Sequence, residues 1–215
     1  PVAIVAFIWQ YFSLPNMGGN QRPSPRKSVF RLLHQPAVSV GLMACGLFFM
    51  GQFALFTYVR PFLETVTHVS PSGLSLILLT IGIAGFIGTL IVALVLNAAF
   101  YLTLMAIPLL MALIAGVLML TGDSLWIVAL LLGFWGMLAT AAPTGWWTWI
   151  ARTLPEDAEA GGGLMVAVIQ LSIALGSTAG GVVFDTFGWQ STFALSSILL
   201  LSAGVLTFTT SRHRK

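Results

Sequence analysis

Six long apolar stretches, separated by short polar or charged breaks, set the strongest limit on how this chain can fold. A helix that crosses a bilayer needs about 20 mostly apolar residues, because its backbone groups find no other hydrogen-bond partners in lipid. The whole stretches lie at 38–59, 73–96, 99–120, 125–150, 161–184 and 189–210. Residues 1–14 are interpreted as the end of a truncated membrane helix. The sequence therefore predicts an all-α polytopic membrane protein with a six-helix bundle over 38–210.

The composition agrees with this class of protein. Hydrophobic residues make up 58% of the chain and charged residues only 7%, whereas soluble domains carry about 25% charged residues. The small net charge of +3 does not indicate a nucleic-acid partner, and membrane lipid is the expected surrounding. Cys45 is the only cysteine, which excludes an intrachain disulfide and a cysteine-based metal site. We expect neither a cofactor nor a metal ion.

Basic residues fall almost entirely on one side when the six stretches are threaded through a membrane in alternation. That side holds Arg22, Arg26, Lys27, Arg31, Arg152, Arg212, Arg214 and Lys215. Arg60 stands alone on the other side. By the positive-inside rule, the linker 15–37 and the C-terminal tail 211–215 are cytoplasmic.

Three tryptophans stand close together in GWWTWIARTLPEDAEAGG, residues 145–162. Tryptophan has an apolar ring and one N–H donor, so it suits a membrane interface. Arg152 follows at the end of the fourth helix and three acidic residues precede the fifth, which gives each charge the favourable sign for the adjacent helix dipole. We interpret the tryptophans as an interfacial belt; the alternative is that one or two of them line a substrate path.

Glycines are concentrated in the second and fifth stretches. The second contains TIGIAGFIGTL, residues 80–90, and the fifth contains IALGSTAGGVV, residues 173–183. Glycine at such spacing lets helix backbones approach closely in lipid, where hydrophobicity does not drive helix association. Each glycine-rich helix is the middle one of three, which predicts two three-helix repeats over about 38–120 and 125–210.

Four motifs carry a resemblance to a known family. They are GQFALFTYVRPFLETV at 51–66, LLTIGIAGFIGTL at 78–90, P-x-G-W-x-x-W at 143–149, and VAVIQL with ALGSTAGG within 166–181. Together they resemble the C-terminal half of bacterial major facilitator drug/proton antiporters, and most of all the permeases that export purine ribonucleosides. One departure is the uncharged GTLIVALVLNAAF, residues 88–100, where the family often has a charged Gly-x-x-x-Asp-Arg-type loop.

The resemblance implies half of a 12-helix fold in the bacterial inner membrane. The implied partners are a missing N-terminal six-helix half, a small-molecule substrate and, in exchange, protons. No Asp, Glu, Lys, Arg or His lies in the middle of the six stretches. Since such groups usually carry proton coupling, the titrating carboxylate is expected in the N-terminal half.

Candidate substrate contacts follow from helical spacing and from the resemblance. Gln52 and Gln170 are mid-span amides, and an unpaired amide in lipid is costly, so each is expected to face the bundle. The resemblance implies that the first and fourth helices line a central cavity. The candidates for the substrate path are Phe49, Gln52, Phe56, Trp135, Thr140, Thr144, Trp146 and Gln170. The alternative for the glutamines is that they hold helices together.

Two arginines are candidates for a gate. Arg60 directly follows the aromatic face of the first helix, and Arg152 ends the fourth. A lone interfacial arginine can equally extend its guanidinium from the membrane into water, which is the alternative for Arg60.

The sequence therefore predicts the C-terminal half of an efflux transporter that exports small polar metabolites or drugs, with nucleosides as candidates, by alternating access and proton antiport. A non-transporting membrane scaffold and a half-size transporter that works as a homodimer are the alternatives. An enzyme is not expected, because His34, His68 and His213 all fall outside the six stretches and no P-loop or metal-ligand cluster is present in the sequence.

Overall fold

A computed structural model of the chain describes residues 29–212, together with Ile4, Trp9 and Ser13. A short 3-10 helix at Val29–His34 precedes six α-helices. These are α1 (Pro36–Phe56), α2 (Val59–Thr65), α3 (Pro71–Thr121), α4 (Leu125–Thr153), α5 (Ala158–Phe187) and α6 (Trp189–Arg212). The described residues contain no strand, so the all-α prediction is confirmed. Most of the predicted helix 1–14, the linker residues 15–28 and the tail residues 213–215 lie outside the described residues.

Helix α3 folds back on itself. It has 51 residues, and a straight helix of that length would extend about 77 Å. Thr67, before α3, nevertheless donates its side-chain hydroxyl to the carbonyl oxygen of Gly122, after α3, at 2.8 Å. The reversal occurs at Ala99, whose dihedral angles (φ −151°, ψ 69°) are not helical. Helix α3 therefore consists of two antiparallel arms, α3a (71–98) and α3b (100–121).

Counting the two arms of α3 separately gives six long apolar helical segments. Five helical stretches in the described part of the chain are long and apolar enough to span a membrane, and α3 is one of them. The predicted break between 96 and 99 coincides with the reversal at Ala99. The six-helix bundle of the sequence prediction is thus present, with boundaries that differ by a few residues.

The first predicted helix, 38–59, is interrupted before its end. Helix α1 ends at Phe56, and α2 begins only at Val59. Pro61 explains the interruption, because proline has no N–H to donate to the carbonyl of Thr57 and its ring crowds that carbonyl. The hydroxyl of Thr57, at the end of α1, donates to Phe53 O at 2.8 Å. Arg60 consequently belongs to α2 and does not continue the face of α1.

The bundle has two distinct ends. At one, called the Trp189 end, the Phe62 ring lies 5.0 Å from the Trp189 ring and 4.8 Å from the Phe193 ring. At the other, called the Arg152 end, the Arg152 guanidinium lies 4.4 Å from the centre of the Phe100 ring. Helix α1 runs towards the Trp189 end and α4 runs away from it, so the first and fourth helices are antiparallel.

Two of the close helix contacts in the bundle rest on glycine. In the first, Gly176 and Gly180 of α5 lie directly against the backbone of α1 at Met50 and Ala54. In the second, Gly85 and Gly88 of α3a lie against α4 around Gly136 and Met137. A Cβ at Gly88, Gly176 or Gly180 would overlap the backbone of the neighbouring helix, and one at Gly85 would lie 3.0 Å from the Thr140 side chain. The glycines of each predicted middle helix therefore pack on the first helix of the other triplet; Gly82, by contrast, has no atom within 4 Å of its Cβ position.

Candidate functional site

Helices α1 and α4 contact each other at the Arg152 end of the bundle. Gly41 lies against the Trp149 ring, which brings the start of α1 to the end of α4. Steps of three and four residues keep side chains on one helix face, so Cys45, Phe48 and Gln52 share the face of Gly41. On α4, Trp146, Ala142 and Trp135 share the face of Trp149 by the same spacing. All of these residues are buried.

Gln52 and Trp135 lie at similar depth on these two faces. Gln52 is 11 residues past Gly41, or about 16 Å along α1, and Trp135 is 14 residues before Trp149, or about 21 Å along α4. Because the helices are antiparallel, the two residues differ by only about 5 Å in height. Helical rise therefore places the two residues at similar heights along the bundle.

Each of these two side chains has a buried polar atom without a partner. Gln52 is 8% exposed and Trp135 is fully buried. Neither Gln52 Oε1 nor Trp135 Nε1 has a hydrogen-bond partner among the described residues. One is an acceptor and the other a donor, so they are complementary. An unpaired buried polar group costs about 1–3 kcal/mol, which makes two such groups at one level unusual.

The remaining substrate-path candidates divide into buried and open residues. Phe49 and Trp146 are buried, and Phe49 packs edge-on against Phe48 at 5.2 Å. Phe56 and Thr140 are exposed, and the Thr140 hydroxyl donates to Gly85 O at 2.8 Å across the α3a–α4 contact. Thr144 is half-buried. Of the eight candidates, four are buried within the bundle: Phe49, Gln52, Trp135 and Trp146.

The expectation that Gln170 faces the interior of this bundle is wrong. Val168 and Ser172 of α5 lie against Gly46 of α1. Gln170 is two residues from each of them, which turns it to the opposite side of α5. Its side chain is accordingly exposed on the surface of the bundle.

The interfacial interpretation of the tryptophans fits only one of the three. Trp147 is 46% exposed, whereas Trp146 and Trp149 are buried in the bundle. Trp146 and Trp149 form an edge-to-face pair with ring centres 5.9 Å apart. The Trp149 ring lies inward, against Gly41 of α1.

The two gate candidates lie at opposite ends. Arg60 is 71% exposed and pairs with Glu64 of the same short helix, with Arg60 Nε 2.9 Å from Glu64 Oε1. Such an exposed pair contributes little stability. Arg152 is exposed and lies over the Phe100 ring.

The described residues contain no group of three or more His, Cys, Asp or Glu side chains that could hold a metal ion.

A polar contact between α1 and α5 near the Trp189 end was not predicted. The Tyr58 hydroxyl donates to Ser177 O at 2.9 Å, and the Thr57 and Ser177 hydroxyls are 3.0 Å apart. The Tyr58 ring also stacks on Phe184 with ring centres 5.2 Å apart. Two polar dipeptides in the sequence could have indicated this contact. They are TY at 57–58, at the end of the first apolar stretch, and ST at 177–178, within the fifth.

Comparison with known proteins agrees with this architecture. The model of the Major Facilitator Superfamily matches residues 42–215. The chain belongs to the major facilitator superfamily.

Individual relatives within the superfamily are similar over nearly the whole chain. Transcription regulatory protein OpdE of Pseudomonas aeruginosa PAO1 is 59% identical over 217 residues, which cover 100% of this chain and 54% of OpdE. Purine ribonucleoside efflux pump NepI of Salmonella enteritidis PT4 and of Salmonella typhimurium LT2 is 40% identical over 201 residues, which cover 93% of this chain and 50% of NepI. The chain spans about half the length of these relatives.

The Tyr58 contact gives a first prediction for this superfamily member. Tyr58→Phe should lower the free energy of unfolding by about 1 kcal/mol, because it removes one hydrogen bond and keeps the stacked ring. Thermal unfolding of the purified protein in detergent measures the change. Tyr101→Phe is the control, because the Tyr101 hydroxyl has no hydrogen-bond partner in the described part of the chain. Equal stability of the two variants would contradict a structural role for the Tyr58 hydroxyl.

Proposed function

We propose that this chain is one six-helix half of a secondary efflux transporter for small, polar, ring-containing solutes. The observation that carries the proposal is Gln170, an exposed amide in the middle of the membrane-crossing helix α5. An amide facing lipid would lose its hydrogen bonds at a cost of several kcal/mol. Gln170 therefore faces either another protein surface or a water-filled path, and a transporter half supplies both.

The partner in this proposal is a second six-helix half. The chain covers about half of its relatives, and α3a and α5 are the membrane-crossing helices least covered by the rest of the bundle. Exposed apolar side chains of α3a include Leu76, Leu79, Ile83, Phe86, Leu90 and Leu94. In the proposed assembly lipid covers part of this surface and the second half covers the rest.

Transport would proceed by alternating access. The two halves rock against each other around a site near the middle of the membrane, which opens to either side in turn. The antiparallel arrangement of α1 and α4, and the matching glycine contacts of α3a and α5, support an inverted pair of three-helix repeats within this half. The flat rings of Phe49 and Trp146 suit a ring-containing solute that stacks between α1 and α4.

A nucleoside is the substrate class that we propose, because the name of the 40% identical relative NepI specifies purine ribonucleosides. Proton antiport is part of the proposal. The six apolar stretches contain no Asp, Glu, Lys, Arg or His in their middle, so the titrating carboxylate would lie in the other half. No covalent chemistry is required of this chain, and we propose that it is not an enzyme.

We also propose an orientation in the bacterial inner membrane. Arg31 and Arg152 lie towards the Arg152 end, whereas Arg60 lies at the Trp189 end. The positive-inside rule then assigns the Arg152 end and the C-terminus to the cytoplasm. A cysteine introduced at Asp185, near the Trp189 end, should react with an impermeant maleimide in intact cells.

Efflux from cells tests the function. Cells that overproduce the complete product of the reading frame should release preloaded labelled inosine faster than cells with an empty vector, and dissipating the proton gradient should remove the difference. Gln170→Leu should reduce the release, whereas Leu171→Val, a conservative change at an exposed neighbour, should not. Unchanged release from overproducing cells would contradict the proposal.

A regulatory role in the membrane is the second candidate, and the name of the 59% identical relative OpdE favours it. A scaffold of this kind would dock another membrane protein on its exposed helices without moving a solute.

A half-size chain that works as a homodimer is the third candidate. Crosslinking between Gln170→Cys copies would favour the homodimer, and export of inosine distinguishes both transporting forms from a regulator.

A further inference from the structure

We propose that Gln52 and Trp135 together form a two-point subsite for a neutral ring edge that carries a hydrogen-bond donor next to an acceptor. The donor of the ligand would bind Gln52 Oε1, and its acceptor would take the Trp135 Nε1 hydrogen. This inference rests on the proposed transport function and narrows its substrate class to ligands with a cyclic amide or an equivalent edge.

The first support is the state of the two polar atoms. Both atoms are buried, and neither has a hydrogen-bond partner among the described residues. They are also not bonded to each other. A side chain that served only to hold helices together would be expected to have its hydrogen bond in the assembled bundle. Gln52 Oε1 and Trp135 Nε1 can therefore bind polar atoms of a ligand.

The second support is placement. Gln52 is on α1 and Trp135 is on α4, on the faces that meet where Gly41 contacts Trp149. Their heights along the bundle differ by only about 5 Å. An edge with neighbouring donor and acceptor atoms can therefore contact both side chains from one position, after α1 and α4 separate enough to admit it.

The third support is the absence of charge. Residues 36–56 and 125–151 contain no Asp, Glu, Lys, Arg or His. A charged ligand would have no counter-ion on either helix, so the subsite suits a neutral one. Buried aromatic rings at Phe48 and Phe49, one turn from Gln52 on α1, add flat apolar surface. Together these features select a neutral heterocycle.

The test compares inosine with 1-methylinosine in proteoliposomes that contain the complete product of the reading frame. Methylation replaces the ring N1–H by a methyl group and leaves the adjacent carbonyl in place. A site that pairs with this N–H should favour inosine at least tenfold in kcat/KM, since the methylated ligand leaves Gln52 unpaired. Gln52→Leu should abolish the preference, and Trp135→Phe should lower transport of both ligands while keeping the preference.

Each variant is first checked for thermal unfolding in detergent. Gln52→Leu should be at least as stable as the unchanged protein, because it removes an unpaired buried amide. Equal transport of the two ligands, or a preference that survives Gln52→Leu, would overturn the subsite and leave the proposed function intact. Absence of transport of any nucleoside by the unchanged protein would overturn both.

Discussion

Alanine at Gly136 or Gly180 should destabilise the bundle by about 1–3 kcal/mol, the cost typical of overpacked sites. A Cβ at Gly136 would lie 2.5 Å from Ile81 O, and one at Gly180 would lie 2.5 Å from Ala54 O. Both neighbours are backbone atoms of another helix, so neither can move without displacing that helix. The two substitutions probe the α3a–α4 contact and the α1–α5 contact separately.

Thermal unfolding in detergent measures these effects, with Gly82→Ala and Gly116→Ala as matched controls. Neither control position has an atom within 4 Å of the added methyl group. Alanine also favours a helix over glycine by about 1 kcal/mol, so the controls should be neutral or stabilised. Gly136→Ala and Gly180→Ala proteins as stable as the controls would show that the helices do not approach as closely as described.

Trp149→Ala should have a larger effect, a loss of about 3–5 kcal/mol in the free energy of unfolding. Trp149 is 1% exposed, and its ring fills the space beside Gly41 and against Trp146. Removing it leaves a cavity between α1 and α4 at the Arg152 end. The surrounding helices cannot close such a cavity without giving up their glycine contacts.

Trp126→Ala is the control for this prediction, because Trp126 belongs to the same helix and is 83% exposed. It should change stability much less than Trp149→Ala. If the two substitutions have equal effects, the ring of Trp149 is not in the core, and the interfacial interpretation of the tryptophan cluster is restored.

The number of crossings could be predicted because it depends only on local composition. Apolar stretches of membrane-spanning length mark the helices, and the reversal at Ala99 coincides with the short gap left between two of them. The close contacts at Gly85, Gly88, Gly176 and Gly180 were also foreseeable from glycine spacing. The interruption of the first helix was missed, although Pro61 signals it through the hydrogen bond that it cannot make.

The rotation of each helix could not be predicted from composition. A mid-span glutamine has the same local sequence signal whether it points inward, as Gln52 does, or outward, as Gln170 does. Hydrophobic residues surround both, because lipid and bundle interior are equally apolar and the usual contrast between a polar and an apolar helix face is absent. For the same reason Trp146 and Trp149 could not be separated from Trp147 before the contacts of α4 were known.

Transport by purified protein tests most directly whether this bundle is one half of a transporter. Labelled inosine uptake is measured in proteoliposomes with an imposed proton gradient, once with the complete product of the reading frame and once with this 215-residue chain alone. We expect gradient-dependent uptake by the complete product, and uptake by the chain alone no faster than by empty liposomes. Equal uptake by the chain alone, or none by the complete product, would contradict it.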